Sequence, residues 1–314
     1  MPNCKGVKGS GVMRFVKMHG TGNDYVYVNL FEGYDDSVPA TYDNTGKLLT
    51  VDGQDVKELS IKVSDRHFSI GADGLICVAP SDKADVRMIM FNADGSEGLM
   101  CGNGIRCVAK FAYDKGLLSD EITKTGKETG TCEIKAETAS GIKTLKLMIE
   151  NGVCTYVEVN MGQAILEPKE IPITLPENKT TIEVEGKTYD ITCVSMGNPH
   201  CVIFTEGIDD LDLEKIGPRF ENHPAFPEKI NTEFVEVVDD HTVRMRVWER
   251  GSGETMSCGT GTCAVTVASV LNGYVKRGTE VEVQIRGGSL YDTWLENGEV
   301  LMKGPAEISF TGEC

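Results

Sequence analysis

Two cysteines, Cys101 and Cys258, sit 157 positions apart in near-twin settings. The first lies in Met100-Cys-Gly-Asn-Gly-Ile-Arg-Cys107 and the second in Ser257-Cys-Gly-Thr-Gly-Thr-Cys263. Each is followed by Gly-x-Gly and an apolar, helix-like segment. Each has a glutamate four residues before it (Glu97, Glu254) and an aromatic ten before (Phe91, Trp248). A sulfur just ahead of a helix meets unpaired amides and the positive end of the macrodipole. That setting lowers a thiol pKa, so a thiolate base is expected near neutral pH. Gly102, Gly104, Gly259 and Gly261 let the backbone approach a ligand, and two such helix ends make a carboxylate cradle. A duplicated fold that sets the half-motifs face to face places two thiols on opposite sides of one cavity. Such a pair suits taking a proton from one face of a carbon and returning one to the other. Loss of an amino acid's α-proton puts charge on its carboxylate, so the same amides stabilise the transition state. A single cysteine is usually a small core residue, the reading given to Cys4, Cys77, Cys107, Cys132, Cys154, Cys193, Cys201, Cys263 and Cys314. Matched contexts set Cys101 and Cys258 apart.

These motifs must be held by about two domains, since 314 residues exceed one typical domain. The net charge of -17 argues against nucleic acid and anionic membrane surfaces as partners. No apolar run is long enough to span a bilayer. Residues 1–12 are polar and glycine-rich, read as a disordered leader or a remnant ahead of the first strand, not a secretory signal. The eleven cysteines are scattered, with no Cys-x-x-Cys pair. They read as reduced thiols in a cytoplasmic protein with no structural metal site.

Short β-branched or aromatic runs dominate, bounded by Gly, Asn or Asp as strands are. They are Met13 to Met18, Tyr25 to Leu30, Leu75 to Val78, Val86 to Asn92, Leu145 to Ile149 and Val153 to Asn160. The second half repeats the style in Val202 to Phe204, Phe234 to Val238, Val243 to Trp248, Val281 to Ile285 and Leu290 to Leu295. Helical spacing follows each cysteine motif: Ile105, Val108, Ala109 and Ala112 before Gly116, then Thr262, Ala264, Val265, Ala268 and Leu271 before Gly273. Further helices are expected at Val56 to Arg66 and Asp210 to Ile216. An apolar helix needs cover on most sides, which a curved sheet provides. The fold class is therefore α+β, with strands too irregularly spaced for a doubly wound parallel sheet.

Polar clusters interrupt these runs at Asn23, Asn92, Asn198-Pro-His200 and Glu249-Arg250. Asparagine beside Gly or Pro is ordinarily turn chemistry. Read functionally, adjacent Glu and Arg hold an ammonium and a carboxylate, with asparagines adding neutral bonds. Gly259-Thr-Gly-Thr-Cys-Ala264 also fits the dinucleotide fingerprint Gly-x-Gly-x-x-Ala. That fingerprint needs a buried strand just ahead, and the polar stretch Glu249 to Ser257 does not supply one.

Together the motifs resemble diaminopimelate epimerases, cofactor-independent enzymes of lysine and cell-wall precursor synthesis. The likeness runs in order through Lys17-Met-His-Gly-Thr-Gly-Asn-Asp24, Phe91-Asn-Ala-Asp-Gly-Ser-Glu97, Cys101-Gly-Asn-Gly-Ile-Arg106, Val194-Ser-Met-Gly-Asn-Pro-His-Cys201, Glu249-Arg-Gly251, Cys258-Gly-Thr-Gly261 and Gly287-Gly-Ser-Leu290. It implies two pseudo-symmetric domains, each a curled, mostly antiparallel, barrel-like sheet around a central helix, with the site in the cleft between them. The expected bounds are 13–160 plus 304–314 for the N-terminal domain with Cys101, and 161–303 for the C-terminal domain with Cys258. The resemblance implies that Cys101 and Cys258 interconvert L,L- and meso-diaminopimelate as a thiolate and thiol pair, the first abstracting the proton of the L,L isomer. It implies substrate binding by Asn23, Asn92, Gly102, Asn103, Asn198, Asn231, Glu249, Arg250, Gly259 and Thr260, with His200 and Glu249 assisting the thiols. No metal and no cofactor are implied, and a homodimer is. Gly74 stands where some family members carry glutamine, so a polar contact is expected to be missing there. The acidic stretch Gly33 to Asp55 reads as a surface insertion.

Three rivals share parts of this pattern. A proline or hydroxyproline racemase typically has histidine at the Asn103 position, and a pocket for a distal charged head group discriminates strongly against proline. A cysteine-histidine acyl transferase gives no reason for a second matched cysteine. A silent amino-acid binder would not exchange the α-hydrogen.

Overall fold

The computed structural model describes residues 12–125 and 128–314, so the expected leader lies almost wholly outside the described residues. The chain forms two compact units. One runs to Val157 and takes back Ala306–Cys314; the other is Glu158–Pro305.

In the first unit the alternating segments become a sheet ordered Glu307–Glu313, Arg14–Gly20, Asn23–Asn29, Gly74–Ala79, Val86–Asn92, Thr129–Thr138 and Gly141–Glu150. Two of its pairings are parallel, Asn23–Asn29 with Gly74–Ala79 and Val86–Asn92 with Thr129–Thr138; the others are antiparallel. Helix α1, Val56–Ser64, is capped by Asp55, whose carboxylate accepts from the amides of Lys57 and Glu58. Helix α2, Gly102–Asp114, is the centrepiece, and every residue from Gly102 to Tyr113 is buried. Its flanks touch Arg14–Gly20, Asn23–Asn29, Gly74–Ala79, Val86–Asn92, Thr129–Thr138 and Gly141–Glu150, so the sheet curls around it. Ile105, Val108 and Phe111 are at most 2% exposed. At ~1.5–3 kcal/mol for each large apolar side chain, this burial fixes the helix where its propensity would not, given glycines in the first turn. A short helix α3, Asp120–Thr125, follows.

The second unit repeats the scheme. Lys179–Val184, Lys187–Ser195 and Pro199–Phe204 pair antiparallel, Pro199–Phe204 runs parallel to Asn231–Val237, and that strand pairs antiparallel with Thr242–Glu249. Thr242–Glu249 is parallel to Glu280–Ile285, which continues antiparallel through Gly288–Trp294 to Glu299–Pro305. Helix α4, Leu213–Glu221, packs against Thr242–Glu249 and Asn231–Val237, whereas α5, Gly259–Leu271, is the central helix. The duplication extends to register. A two-residue strand precedes each central helix, placing Phe91 opposite Glu97 in one unit and Trp248 opposite Glu254 in the other.

The structure departs from expectation in places. The helix expected at Asp210 to Ile216 is a 3-10 turn, Ile208–Asp210, then α4, because Asp212 caps the helix by accepting from the Lys215 amide. The hairpin Thr129–Thr138 and Gly141–Glu150 goes unseen at its first strand, where Lys and Glu alternate with small residues. The stretch Gly33 to Asp55 is more than surface. It carries a three-stranded sheet (Ala40–Tyr42, Leu48–Val51, Gln54–Asp55), with Val38, Leu48 and Val51 in the core beneath α1. Gly74 pairs with Asn92, and a Cβ there would lie 2.1 Å from the Phe91 carbonyl oxygen. The backbone itself therefore excludes a side chain at this position. Among the described residues no helix is long and apolar enough to cross a membrane.

Candidate active site

Cys101 is the N-cap of α2 and Cys258 the N-cap of α5, with nearly equal backbone angles (φ -128°, ψ 121° and φ -130°, ψ 103°). Glycines are required just inside both helices. A Cβ on Gly104 would meet Ile76 Cδ1 at 2.8 Å, and one on Gly261 would meet Glu233 Oε1 at 2.9 Å and Cys258 Sγ at 3.2 Å.

In the first unit the Cys101 sulfur accepts from the Gly104 amide at 3.3 Å, and its thiol donates to Asn23 Oδ1 at 3.1 Å. Asn23 cannot turn its amide around, because its Nδ2 donates to Asp73 Oδ2 at 2.7 Å. Asp73 also accepts from the Asp24 amide and from Arg66, and Arg66 and Lys17 hold Asp24. Burial pushes the Cys101 thiol above its ordinary pKa, although the Gly104 amide, the Tyr25 hydroxyl, the Asn103 amide and the Arg106 guanidinium each pull it down. The helix N-terminus thus acts in the expected direction, but desolvation outweighs it. Asn103 is buried within α2, and Gly102 forms its first turn. Asn92 donates from Nδ2 to Ser96 Oγ at 2.9 Å within a turn.

In the second unit Cys258 is only 4% exposed and has no side-chain capping bond; Thr260 Oγ1 stands 3.6 Å from its sulfur. Burial raises its thiol well above the ordinary value, and the carboxylates of Glu249 and Glu233 push it further, opposed by Thr260 and the Gly261 amide. The thiols therefore differ in surroundings: cationic and amide-rich at Cys101, anionic at Cys258. His200 and Glu233 are both fully buried, with Nδ1 2.7 Å from Oε1, and Asn198 Oδ1 is 3.1 Å from His200 Nε2. Asn231 stands beside His200 on the parallel strand, and its Oδ1 accepts from the Arg250 amide at 2.9 Å. Glu249 accepts from Thr255 Oγ1, and the Arg250 guanidinium reaches the Glu228 carbonyl at 2.9 Å. Behind this turn, Glu221 accepts from Trp248 Nε1 (2.8 Å), Lys229 Nζ (2.8 Å) and the Gly251 amide (3.2 Å).

The structure thus brings Asn23 to Cys101, and His200, Asn198, Glu249 and Thr260 to the surroundings of Cys258. Sequence reasoning missed Asp73, Tyr25, Glu221 and Glu233. None of them left a signal in the sequence: Glu233 lies in the mixed stretch Asn231–Val237, next to Thr232 and three residues before a second acid, Glu236, and only the fold buries it. The donor atoms of His200, Glu233 and Cys258 lie within 4.8 Å of one another, a spacing a cation could bridge. The short His200–Glu233 bond already engages two of the three atoms with each other.

The sequence model described as diaminopimelate epimerase matches residues 15–167 and 192–309. Similar proteins include the diaminopimelate epimerase of Acetivibrio thermocellus, 48% identical with 96% of this chain and 98% of the relative covered. That of Methanococcus maripaludis is 49% identical, with 96% and 99% covered. Among solved structures, a hydroxyproline epimerase from Agrobacterium vitis superposes with a TM-score of 0.62 at 15% identity, covering 98% of this chain and 93% of the other. A methylitaconate-delta-isomerase does so with a TM-score of 0.61 at 14% identity, covering 96% and 95%. These distant structures share the fold alone. Identity near one half along almost the whole chain is decisive: the chain belongs to the diaminopimelate epimerase family.

Proposed function

We propose that the chain interconverts L,L- and meso-diaminopimelate without pyridoxal phosphate or metal, one thiolate removing the α-proton and the other thiol protonating the opposite face. The observation that carries this is the pair of thiols, each the N-cap of a buried central helix that opens with Gly-x-Gly. The backbone amides at the heads of α2 and α5, Gly102 to Gly104 and Gly259 to Gly261, suit a carboxylate whose charge grows as the α-proton leaves. Both thiols rest above their ordinary pKa in the free protein, so ionisation awaits the substrate, whose α-ammonium favours a neighbouring thiolate. Cys101, with Arg106 and Tyr25 beside it, is the thiol more readily ionised, consistent with its role as base toward the L,L isomer.

Asn23, Asn92, Asn198, Asn231, Glu249 and Arg250 would hold the distal head group, where Glu249 and Arg250 match an ammonium and a carboxylate. His200 and Glu249 would tune the charge beside Cys258. The ten cysteines among the described residues are free thiols, which suits a cytoplasmic enzyme. Exposed Ile308 and Phe310 offer apolar surface that a second copy in a homodimer would cover. The deciding experiment incubates reduced protein with L,L-diaminopimelate in deuterium oxide and follows the α-proton by NMR. Loss of that signal with appearance of the meso isomer is expected. An unchanged spectrum from folded, reduced protein would refute the proposal.

A further inference from the structure

His200 and Glu233 stand on neighbouring parallel strands, Pro199–Phe204 and Asn231–Val237, so the backbone fixes their separation. Both side chains are sealed from solvent. Glu233 Oε1 lies 2.7 Å from Nδ1, while Oε2 is buried and makes no hydrogen bond. A carboxylate this deep needs a donor, and Nδ1–H is the side-chain donor it has. The same oxygen rests against the first turn of α5, where a Cβ on Gly261 would meet it at 2.9 Å. On the far side of the ring, Nε2 faces Asn198 Oδ1. The charged and titratable groups around the pair are Cys258 at the head of α5, Glu249 at the end of Thr242–Glu249, and Cys201 next to His200.

We infer that Glu233 is a positioning residue: it locks a proton on Nδ1 of His200, so that any change of ring charge occurs at Nε2 and is read by the Asn198 amide. With Nε2 protonated, Asn198 must present Oδ1 to the ring, as it does here, leaving its NH2 free for a ligand. With Nε2 bare, the amide must turn, and its carbonyl faces outward instead. Glu233 thereby fixes which hydrogen-bonding face Asn198 offers, without touching the ligand. If the chain works as the amino-acid epimerase proposed above, on which this inference rests, that face meets the substrate's polar head group.

The test is long-range proton–nitrogen NMR on the full-length protein with labelled histidine, His200 being assigned by its loss in His200→Asn. The expected result is a wild-type ring that carries its proton on Nδ1, facing Glu233. Glu233→Met, which removes the acceptor, should move the proton to Nε2 and lower kcat about 10²-fold with KM changed less. Glu233→Gln keeps an acceptor without the charge and should retain Nδ1–H and most of the rate. A wild-type ring protonated at Nε2 alone would overturn the inference, even if Glu233→Met fails to fold. So would a Glu233→Met ring and rate matching wild type. The ring is read without substrate, so absence of turnover in the wild type would count against the proposed function and not against the Glu233–His200–Asn198 chain.

Discussion

Glu221 offers a quantitative test of how the turn bearing Glu249 and Arg250 is held. Its side chain is 8% exposed and receives the Trp248 indole, the Gly251 amide and Lys229. Glu221→Gln preserves shape and removes charge. The Trp248 bond survives as a neutral one, losing about 1 kcal/mol of charge assistance. The Gly251 amide, on an exposed residue, can turn to water at a cost of about 1 kcal/mol. The Lys229 pair is half exposed on the lysine side and counts for at most ~0.5 kcal/mol after screening. The total, roughly 2–2.5 kcal/mol, corresponds to a Tm lower by about 4–10 °C for a unit of this size. Loosening the turn should also raise KM for diaminopimelate about tenfold, equivalent to ~1.4 kcal/mol of binding, with kcat less affected. Burial raises the Glu221 pKa, but the bonds from Lys229, Trp248 and Gly251 outweigh it and leave the carboxyl below its usual range. A depressed carboxyl stabilises fully above the unfolded value near ~4.3 and loses that contribution as pH falls through its folded value. The stability gap between wild type and variant should therefore be complete at neutral pH and narrow below about pH 4. Thermal melts and steady-state kinetics decide the matter. A Tm within about 1 °C of wild type together with an unchanged KM would show that Glu221 does not hold the turn.

Alkylation by iodoacetamide, followed residue by residue by mass spectrometry, should rise with pH for both thiols and lag at Cys258, where Glu249 and Glu233 oppose ionisation. Equal pH profiles would contradict the charge asymmetry. Gly261→Ala should cost about 10²-fold or more in turnover, because the new methyl crowds Glu233 Oε1 and the Cys258 sulfur, with stability lowered by only ~1–3 kcal/mol. Near-normal turnover would mean that the head of α5 is not tightly constrained. Asp73→Leu removes the group that orients Asn23, and kcat should fall at least tenfold in a folded protein, an order typical of a lost orienting contact. A rate equal to wild type would show that Asn23 needs no such anchor.

The strand-rich fold class was legible because polar and apolar residues alternate over short runs, and because two apolar segments follow glycine pairs. Family membership was legible from ordered motifs whose residues are local in sequence. What escaped was long-range. Asp73 lies 50 residues from the amide it orients, and Glu233 lies 33 from the imidazole it holds, so neither role can be seen before strands pair. The thiol pKa direction was misjudged for a related reason. The helix terminus is written locally in Cys-Gly-x-Gly, whereas the desolvation that overrides it comes from a sheet closing around α2 and α5. Gly74 read as a missing side chain, but the Phe91 carbonyl explains it as a close approach of two strands.

The strand Glu307–Glu313 closes against Arg14–Gly20, and the amides and carbonyls of Met13 and Cys314 bond each other at 2.8 and 3.0 Å. Translation makes Arg14–Gly20 long before its edge partner Glu307–Glu313, with the whole Cys258 unit synthesised in between. The unit holding Cys258 is one continuous stretch, Glu158–Pro305, whereas the unit holding Cys101 is built from two stretches that lie on either side of it in the sequence. A stop directly after Pro305 would leave an intact Cys258 unit joined to one that lacks its closing strand.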